Sequence, residues 1–283
     1  MILPYLIVVC IGALLALIAS KLPVNPIIGF KIGYAYMSKR LWIKLNRLCG
    51  IYIAIVGLIS LALSFISENL GVLSLLIGLY IGIIGLIEYS LKLAEKAFIE
   101  EPSPKTGDVK PFKPIASIPT ISVIPIILLI ILVAYIVLNI DNLPNAIPVH
   151  FNIHELPDRY ATKSDFILIA LASSTTLTVL SIYVELLCIK RPEAFYKPWL
   201  TLKSMRRYAN MSRILISFAA SIAILAFIDV TYYTLHEKHL ISLGMLVIIT
   251  LIGIMSMVAY ILYILVVPWI KSLRSCGKQI DYS

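Results

Sequence analysis

Two histidines four residues apart, His150 and His154, with Glu155 directly after them, are the sequence's most direct suggestion of chemistry. On a helix, imidazoles at that spacing share a face and suit a zinc ion, and the neighbouring carboxylate suits a general base. Pro148 and Pro157 bracket the segment, however, and the metalloprotease order His-Glu-x-x-His is absent. The expectation is therefore a compact loop in which His150 and Asn152 hydrogen-bond to backbone, with no metal and no cofactor. Asp158 is placed to pair with Lys163 or with Arg159. An exposed pair of that kind contributes at most about 1 kcal/mol, so Asp158 reads as a residue that pins the loop rather than as a catalyst.

Three further acids, Glu88, Glu185 and Asp229, fall inside apolar runs. Intramembrane acids mark ion or proton paths by default, and a transporter would need a polar route linking these three. Their positions favour a plainer reading. Glu88 stands four residues before Lys92, a favourable helical pairing, and Glu185 stands close to Lys190. Asp229 lies near the end of its run. No phosphate-binding loop, dinucleotide fingerprint or zinc-finger spacing occurs.

The elements that would position these groups are membrane helices. Of 283 residues 60% are hydrophobic and only 14% charged, and the mean hydropathy is +0.96. Soluble domains carry about a quarter charged residues. Apolar runs predict seven transmembrane helices, at about 2–20, 48–66, 70–91, 118–138, 165–189, 212–234 and 240–269. The fold class expected is an all-α polytopic bundle in the cell membrane, crossing it several times. The net charge of +9 does not point to nucleic acid: of the 24 lysines and arginines, all but Arg159, Lys163 and Lys238 fall in alternate loops and the tail. By the positive-inside rule those segments are cytoplasmic, which puts the N-terminus outside and the C-terminus inside. No lysine or arginine precedes Lys21, so the first run reads as a retained helix rather than a cleaved signal peptide. Trp42, Trp199 and Trp269 fall near inner helix ends and read as interfacial anchors.

Three parts follow from this plan. Residues 1–91 form a three-helix unit. Residues 92–117, where Pro102, Pro104, Pro111 and Pro114 alternate with Lys105, Lys110 and Lys113, form an extended cytoplasmic linker. Residues 118–283 form a four-helix unit whose outer loop, 139–164, holds the two histidines. The first three and last three helices share a layout of inward helix, basic loop and tight outer hairpin, so any internal repeat is parallel. Small-xxx-small patterns such as Gly78-x-x-x-Gly82 mark close helix packing. Cys10, Cys49, Cys188 and Cys276 show no metal spacing, and by this topology none lies outside the membrane on the outer face, so they read as reduced.

Two stretches carry a resemblance. The first basic loop reads Asn25-Pro26-Ile27-Ile28-Gly29-Phe30-Lys31, then Ser38, Trp42, Asn46-Arg47 and Gly50. It resembles the signature of the SdpI family, membrane proteins named after a bacterial toxin-immunity and signalling protein, with Lys31 where arginine is usual. The outer loop reads Pro148-x-His150-Phe151-Asn152, then Pro157-Asp158-x-Tyr160 and Lys163. It resembles a short domain of unknown function that often accompanies that family, of whose pattern His154 is not a part. The resemblance implies a non-enzymatic role: immunity to a membrane-active toxin, or signalling from the outer face. Pro148, His150, Phe151, Asn152, Asp158 and Lys163 are then the expected contacts for an extracellular peptide toxin or other ligand. Asn25, Pro26, Gly29, Lys31, Ser38, Trp42 and Asn46 form the cytoplasmic motif, and the basic loops are the expected face for a cytoplasmic protein or for lipid headgroups. Transport of a small solute, and a membrane-embedded metal-dependent hydrolase using the outer histidines, are the alternatives.

Overall fold

The computed structural model of the chain describes residues 2–100, 115, 120–152 and 154–279. Most of the linker expected at 92–117 lies outside the described residues. Among those described are seven α-helices: α1 (Leu3–Ile18), α2 (Lys39–Ser64), α3 (Glu68–Glu100), α4 (Val123–Leu138), α5 (Lys163–Lys190), α6 (Leu202–His236) and α7 (Leu243–Gln279). A two-stranded antiparallel hairpin, β1 (Ala146–Phe151) and β2 (Pro157–Thr162), separates α4 from α5. Helices α2, α3, α5, α6 and α7 are long and apolar enough to cross a membrane, while α1 and α4 are shorter apolar helices of 16 residues. Their outward faces are lined with exposed isoleucine, leucine and valine, as a lipid-facing surface requires.

Helices α2, α5 and α6 begin earlier than hydropathy suggests, because polar caps set their starts. Ser38 Oγ accepts the Leu41 N–H at 3.1 Å, which starts α2 at Lys39 and places Arg40, Lys44 and Arg47 on the helix instead of in a loop. Thr162 does the same for α5 through the Asp165 N–H at 3.2 Å, and Thr201 for α6 through the Ser204 N–H at 3.3 Å.

The chain forms two compact units. One comprises residues 1–118, 186–212 and 259–283; the other, 119–185 and 213–258. In the first, α2 lies between α1 and α3. A Cβ placed on Gly12 would meet Ala54 N at 2.4 Å, and one on Gly50 would meet Ala16 N at 2.4 Å. The two Gly-x-x-x-Ala steps thus face each other and let the backbones touch. In the second, Leu132 and Ile136 of α4 pack on Ile224 and Ile228 of α6. Ile147, buried on β1, joins Leu143, Phe166 and Ala170 at the foot of the hairpin.

The element order supports the repeat of layout. Short 3-10 turns, Gly33–Tyr36 and Pro192–Phe195, occupy the two basic loops, so α1, turn, α2, α3 is echoed by α5, turn, α6, α7.

Candidate functional site

The segment expected as a compact loop is a two-stranded antiparallel hairpin. Ile147 pairs with Ala161 and Pro148 with Tyr160, and the register shifts at Val149 and Asp158. These shifts bring His150 opposite Arg159 and set its Nδ1 against Asp158 Oδ1. Asp158 therefore pairs with His150 and not with Lys163. Lys163 Nζ instead donates to the carbonyls of Ile140 and Leu143, tying the start of α5 to the segment entering the hairpin. Asn152 builds the tip: its Oδ1 accepts the N–H groups of His154 at 2.8 Å and Leu156 at 3.2 Å. That is the backbone role expected of it. His150 takes a carboxylate partner instead of backbone.

The tip also places Glu155 in the left-handed region, with φ of 60°. Such a conformation costs about 1 kcal/mol or more for a residue with a side chain. Its compensation is visible: Glu155 accepts from Ser242 Oγ at 2.7 Å and from the Gly244 N–H at 3.0 Å, at the start of α7. Those two hydrogen bonds, first the Gly244 amide and then the Ser242 hydroxyl, hold its carboxyl below the ordinary range. Glu155 is thus committed to α7. Because the segment is not helical, His150 and His154 do not present a common helical face. Among the described residues no group of three or more His, Cys, Asp and Glu side chains is arranged to hold a metal.

Phe151 faces inward. Its ring meets His239 edge-on at 4.9 Å and Tyr233 at 5.0 Å, and His239 stacks on Tyr233 at 4.5 Å. His239 in turn contacts the buried carboxylate of Asp229. An open cleft of about 410 Å³ lies beside this cluster, lined in part by Leu156, Glu237, Lys238 and Ser242. The hairpin and the turn after α6, both poor in basic residues, are therefore one cap. The sequence marks Asp229 only as an intramembrane acid and gives His239 no role; their pairing spans ten residues across the turn from α6 to α7.

Of the other acids, Glu185 is fully buried and does not answer Lys190. It accepts the backbone N–H groups of Thr120, Ile121 and Ser122 at 2.9 Å each, capping the approach to α4, and Arg213 lies 3.4 Å away. Glu88 is exposed on α3.

The first motif builds a second folded cap. Asn25 Oδ1 accepts from the N–H groups of Ile27 and Ile28, and its carbonyl accepts from Tyr36 Oη. The chain then turns through Gly29 at φ of 110°. Asn46, buried on α2, accepts the Phe30 N–H at 2.7 Å and donates to the Trp42 carbonyl at 2.7 Å. Trp42 is buried, with Nε1 donating to Leu22 O at 3.0 Å, so it is a core residue of this cap and not an interfacial anchor. Pro26 sits buried in the turn, and Lys31 Nζ donates to Ile27 O.

The second basic loop packs on this cap. Tyr34 donates to Glu193 at 3.0 Å, and burial followed by the Glu193 charge raises its phenol pKa. Lys197, wholly buried, donates to Lys31 O at 2.8 Å and Tyr196 O at 3.2 Å. Its ammonium lies 4.7 Å from the Tyr36 ring centre and 5.1 Å from that of Tyr208. Burial, then the nearby Lys31 charge, lowers its pKa well below the usual lysine value. Nothing in the sequence distinguished Lys197 from its basic neighbours.

Seven apolar helices with folded caps built from their connections define a multi-pass membrane protein. Residues 21–90 match the SdpI/YfhL protein family, and residues 127–172 match a domain of unknown function (DUF1648). These are the two stretches whose motifs carried the resemblance, so an SdpI/YfhL-like segment is followed along the chain by a DUF1648-like one. Neither a curated protein nor a solved structure matches it.

Proposed function

We propose that the chain is a non-catalytic receptor of the cell membrane, with the hairpin on the outer face, acting in immunity to a membrane-active peptide toxin or in signalling its presence. The observation that carries this reading is the attachment of the hairpin to two helices: Phe151 against Tyr233 and His239, and Glu155 on Ser242 and Gly244. A ligand that displaces the hairpin acts directly on the end of α6 and the start of α7. Both are single continuous helices, of 35 and 37 residues.

The surface left for the ligand is mixed. Leu156 is 58% and Tyr160 56% exposed, and His150 stands beside them with Asp158. Exposed aromatic and aliphatic groups flanked by polar ones suit a peptide contact. Phe151, spent on the interior of the cap, is a transmitting residue in this scheme and Tyr160 takes its place as the apolar contact. Basic residues at the opposite loops then serve a cytoplasmic protein, and nucleic acid has no part. The commitment of Glu185 and Asp229 to backbone amides supports this reading over transport.

Expression in a toxin-sensitive host tests it. His150→Ala and Tyr160→Ala should reduce protection while the membrane level, followed by blot, stays unchanged. Replacing residues 146–162 by a Gly/Ser linker with protection intact would reduce the hairpin to a connector and move the function to the basic loops.

A further inference from the structure

Arg40, Lys44 and Arg47 fall at positions i, i+4 and i+7 of α2, and so on one face of the helix. They line an open groove of about 400 Å³ whose other walls include Leu48, Ile51 and, from α3, Tyr89. All three basic side chains are exposed, and no acid contributes to the lining. The same face continues along the helix as Ile51, Ile55 and Leu58, each about half exposed. A cationic rung thus passes directly into a lipid-facing apolar stripe on a membrane-spanning helix.

We propose that this groove is a binding site for one anionic phospholipid. Its phosphodiester sits among Arg40, Lys44 and Arg47, and an acyl chain lies along Leu48, Ile51 and Ile55. Guanidinium and ammonium groups are the donors that suit phosphate, with arginine able to grip two oxygens at once. Tyr89, an amphipathic ring at the boundary between rung and stripe, offers its hydroxyl to the glycerol or phosphate oxygens. Basic pockets between transmembrane helices are a recurrent setting for anionic headgroups. A soluble acidic protein would satisfy the rung but would leave the apolar stripe, which runs along the span, without a function; a phospholipid matches both in sequence. The site belongs to the α2–α3 pair and is independent of the hairpin's role.

Native mass spectrometry of the full chain, delipidated and then supplied with phosphatidylglycerol or phosphatidylcholine micelles, tests the proposal. The wild type should retain one phosphatidylglycerol in preference to phosphatidylcholine. The variant Arg40→Gln/Lys44→Gln/Arg47→Gln should lower that retention about tenfold or more. Ile51→Trp, which fills the groove and leaves every charge, should lower it too. Lys203→Gln/Arg206→Gln/Arg207→Gln, an equal charge loss on α6, should not. Excess inorganic phosphate should fail to displace the lipid. The proposal is overturned if the α6 variant loses as much as the α2 variant, if phosphatidylcholine is retained equally, or if free phosphate competes fully, which would make the rung an anion site alone. Retention of an acidic protein in place of lipid would also overturn it.

Discussion

His239 Nδ1 lies 2.7 Å from Asp229 Oδ2, while Oδ1 of the same carboxylate accepts the N–H groups of Leu240 at 2.7 Å and Ile241 at 3.1 Å. A single buried acid near the end of α6 therefore fixes both the backbone of the α6–α7 turn and the imidazole on which the hairpin rests. With Nδ1 carrying the proton, every contact on the carboxylate is a donor, which is how a buried acid is accommodated without a transport role.

Removing that acid should loosen the whole cap. Asp229→Ala leaves two turn amides without their acceptor and should cost about 2–3 kcal/mol. Asp229→Asn keeps an oxygen for Leu240 and Ile241 and should cost less. Thermal unfolding in detergent, followed by tyrosine and tryptophan fluorescence, should rank the wild type above Asp229→Asn and both above Asp229→Ala. Equal melting of the two variants would mean that the two amide contacts contribute nothing and that the loss lies in the contact with the imidazole.

Acid should release the hairpin from α7 through Glu155. Its pKa is lowered in the native protein, so the unfolded or detached form binds more protons at low pH. The contact is at full strength above the ordinary glutamate value of 4.5 and weakens as the pH falls through the native pKa below it. Amide hydrogen exchange at Gly244 and Leu156 should quicken on acidification across that window. Glu155→Gln should show the faster exchange at neutral pH and no further acid step.

How far the sequence foretold these arrangements varied with the kind of interaction. Apolar runs reported the helices, because burial in lipid is written in composition. The hairpin shows no strand signature, because its strands carry Pro148 and Pro157 and the two buried residues, Ile147 and Pro148, are adjacent, so no alternating pattern marks it. The residue types that drew attention for chemistry, His150 and Glu155, proved to be held by Asp158 and by Ser242 and Gly244. Hydropathy places the starts of α2 and α6 too late, because the first turns that Ser38 and Thr201 cap are rich in lysine and arginine. Lys197 could not be singled out at all: its burial depends on Tyr36 and Tyr208, one of them more than a hundred residues away.

The Asn25–Asn46 motif should behave as architecture. At Gly29 a Cβ would stand 2.2 Å from Asn46 Oδ1, and the φ of 110° is one that side chains rarely adopt. Gly29→Ala combines backbone strain with a clash and should destabilise by more than about 1 kcal/mol. Asn46→Ala leaves the Phe30 N–H unanswered and should cost about 1–3 kcal/mol. Proteolysis in membranes should cut the 21–38 segment faster in both variants. Asn46→Asp, which keeps the acceptor, should protect it better than Asn46→Ala.

Lys197 gives the most discriminating test of what a buried cation does here. Its ammonium is met by two carbonyls and two tyrosine rings, and burial lowers its pKa. Between that lowered native value and the ordinary lysine value of 10.5, the unfolded chain holds the proton more tightly than the folded one. Stability should therefore rise as the pH climbs through this window, and the full cost of burying the charge is present below it. Lys197→Met keeps most of the volume and removes the charge, so at neutral pH it should melt within about 1 kcal/mol of the wild type and lose the alkaline rise. Lys197→Ala also loses the alkaline rise, and the cavity it opens between Tyr36 and Tyr208 should cost about 2–3 kcal/mol relative to Lys197→Met at every pH. Melts of the three proteins in detergent from neutral pH to beyond 10.5 separate packing from charge. An unchanged alkaline rise in Lys197→Met would assign the effect to another group, and a loss as large as that of Lys197→Ala would show that the ammonium itself, through the carbonyls of Lys31 and Tyr196, holds the two basic loops together.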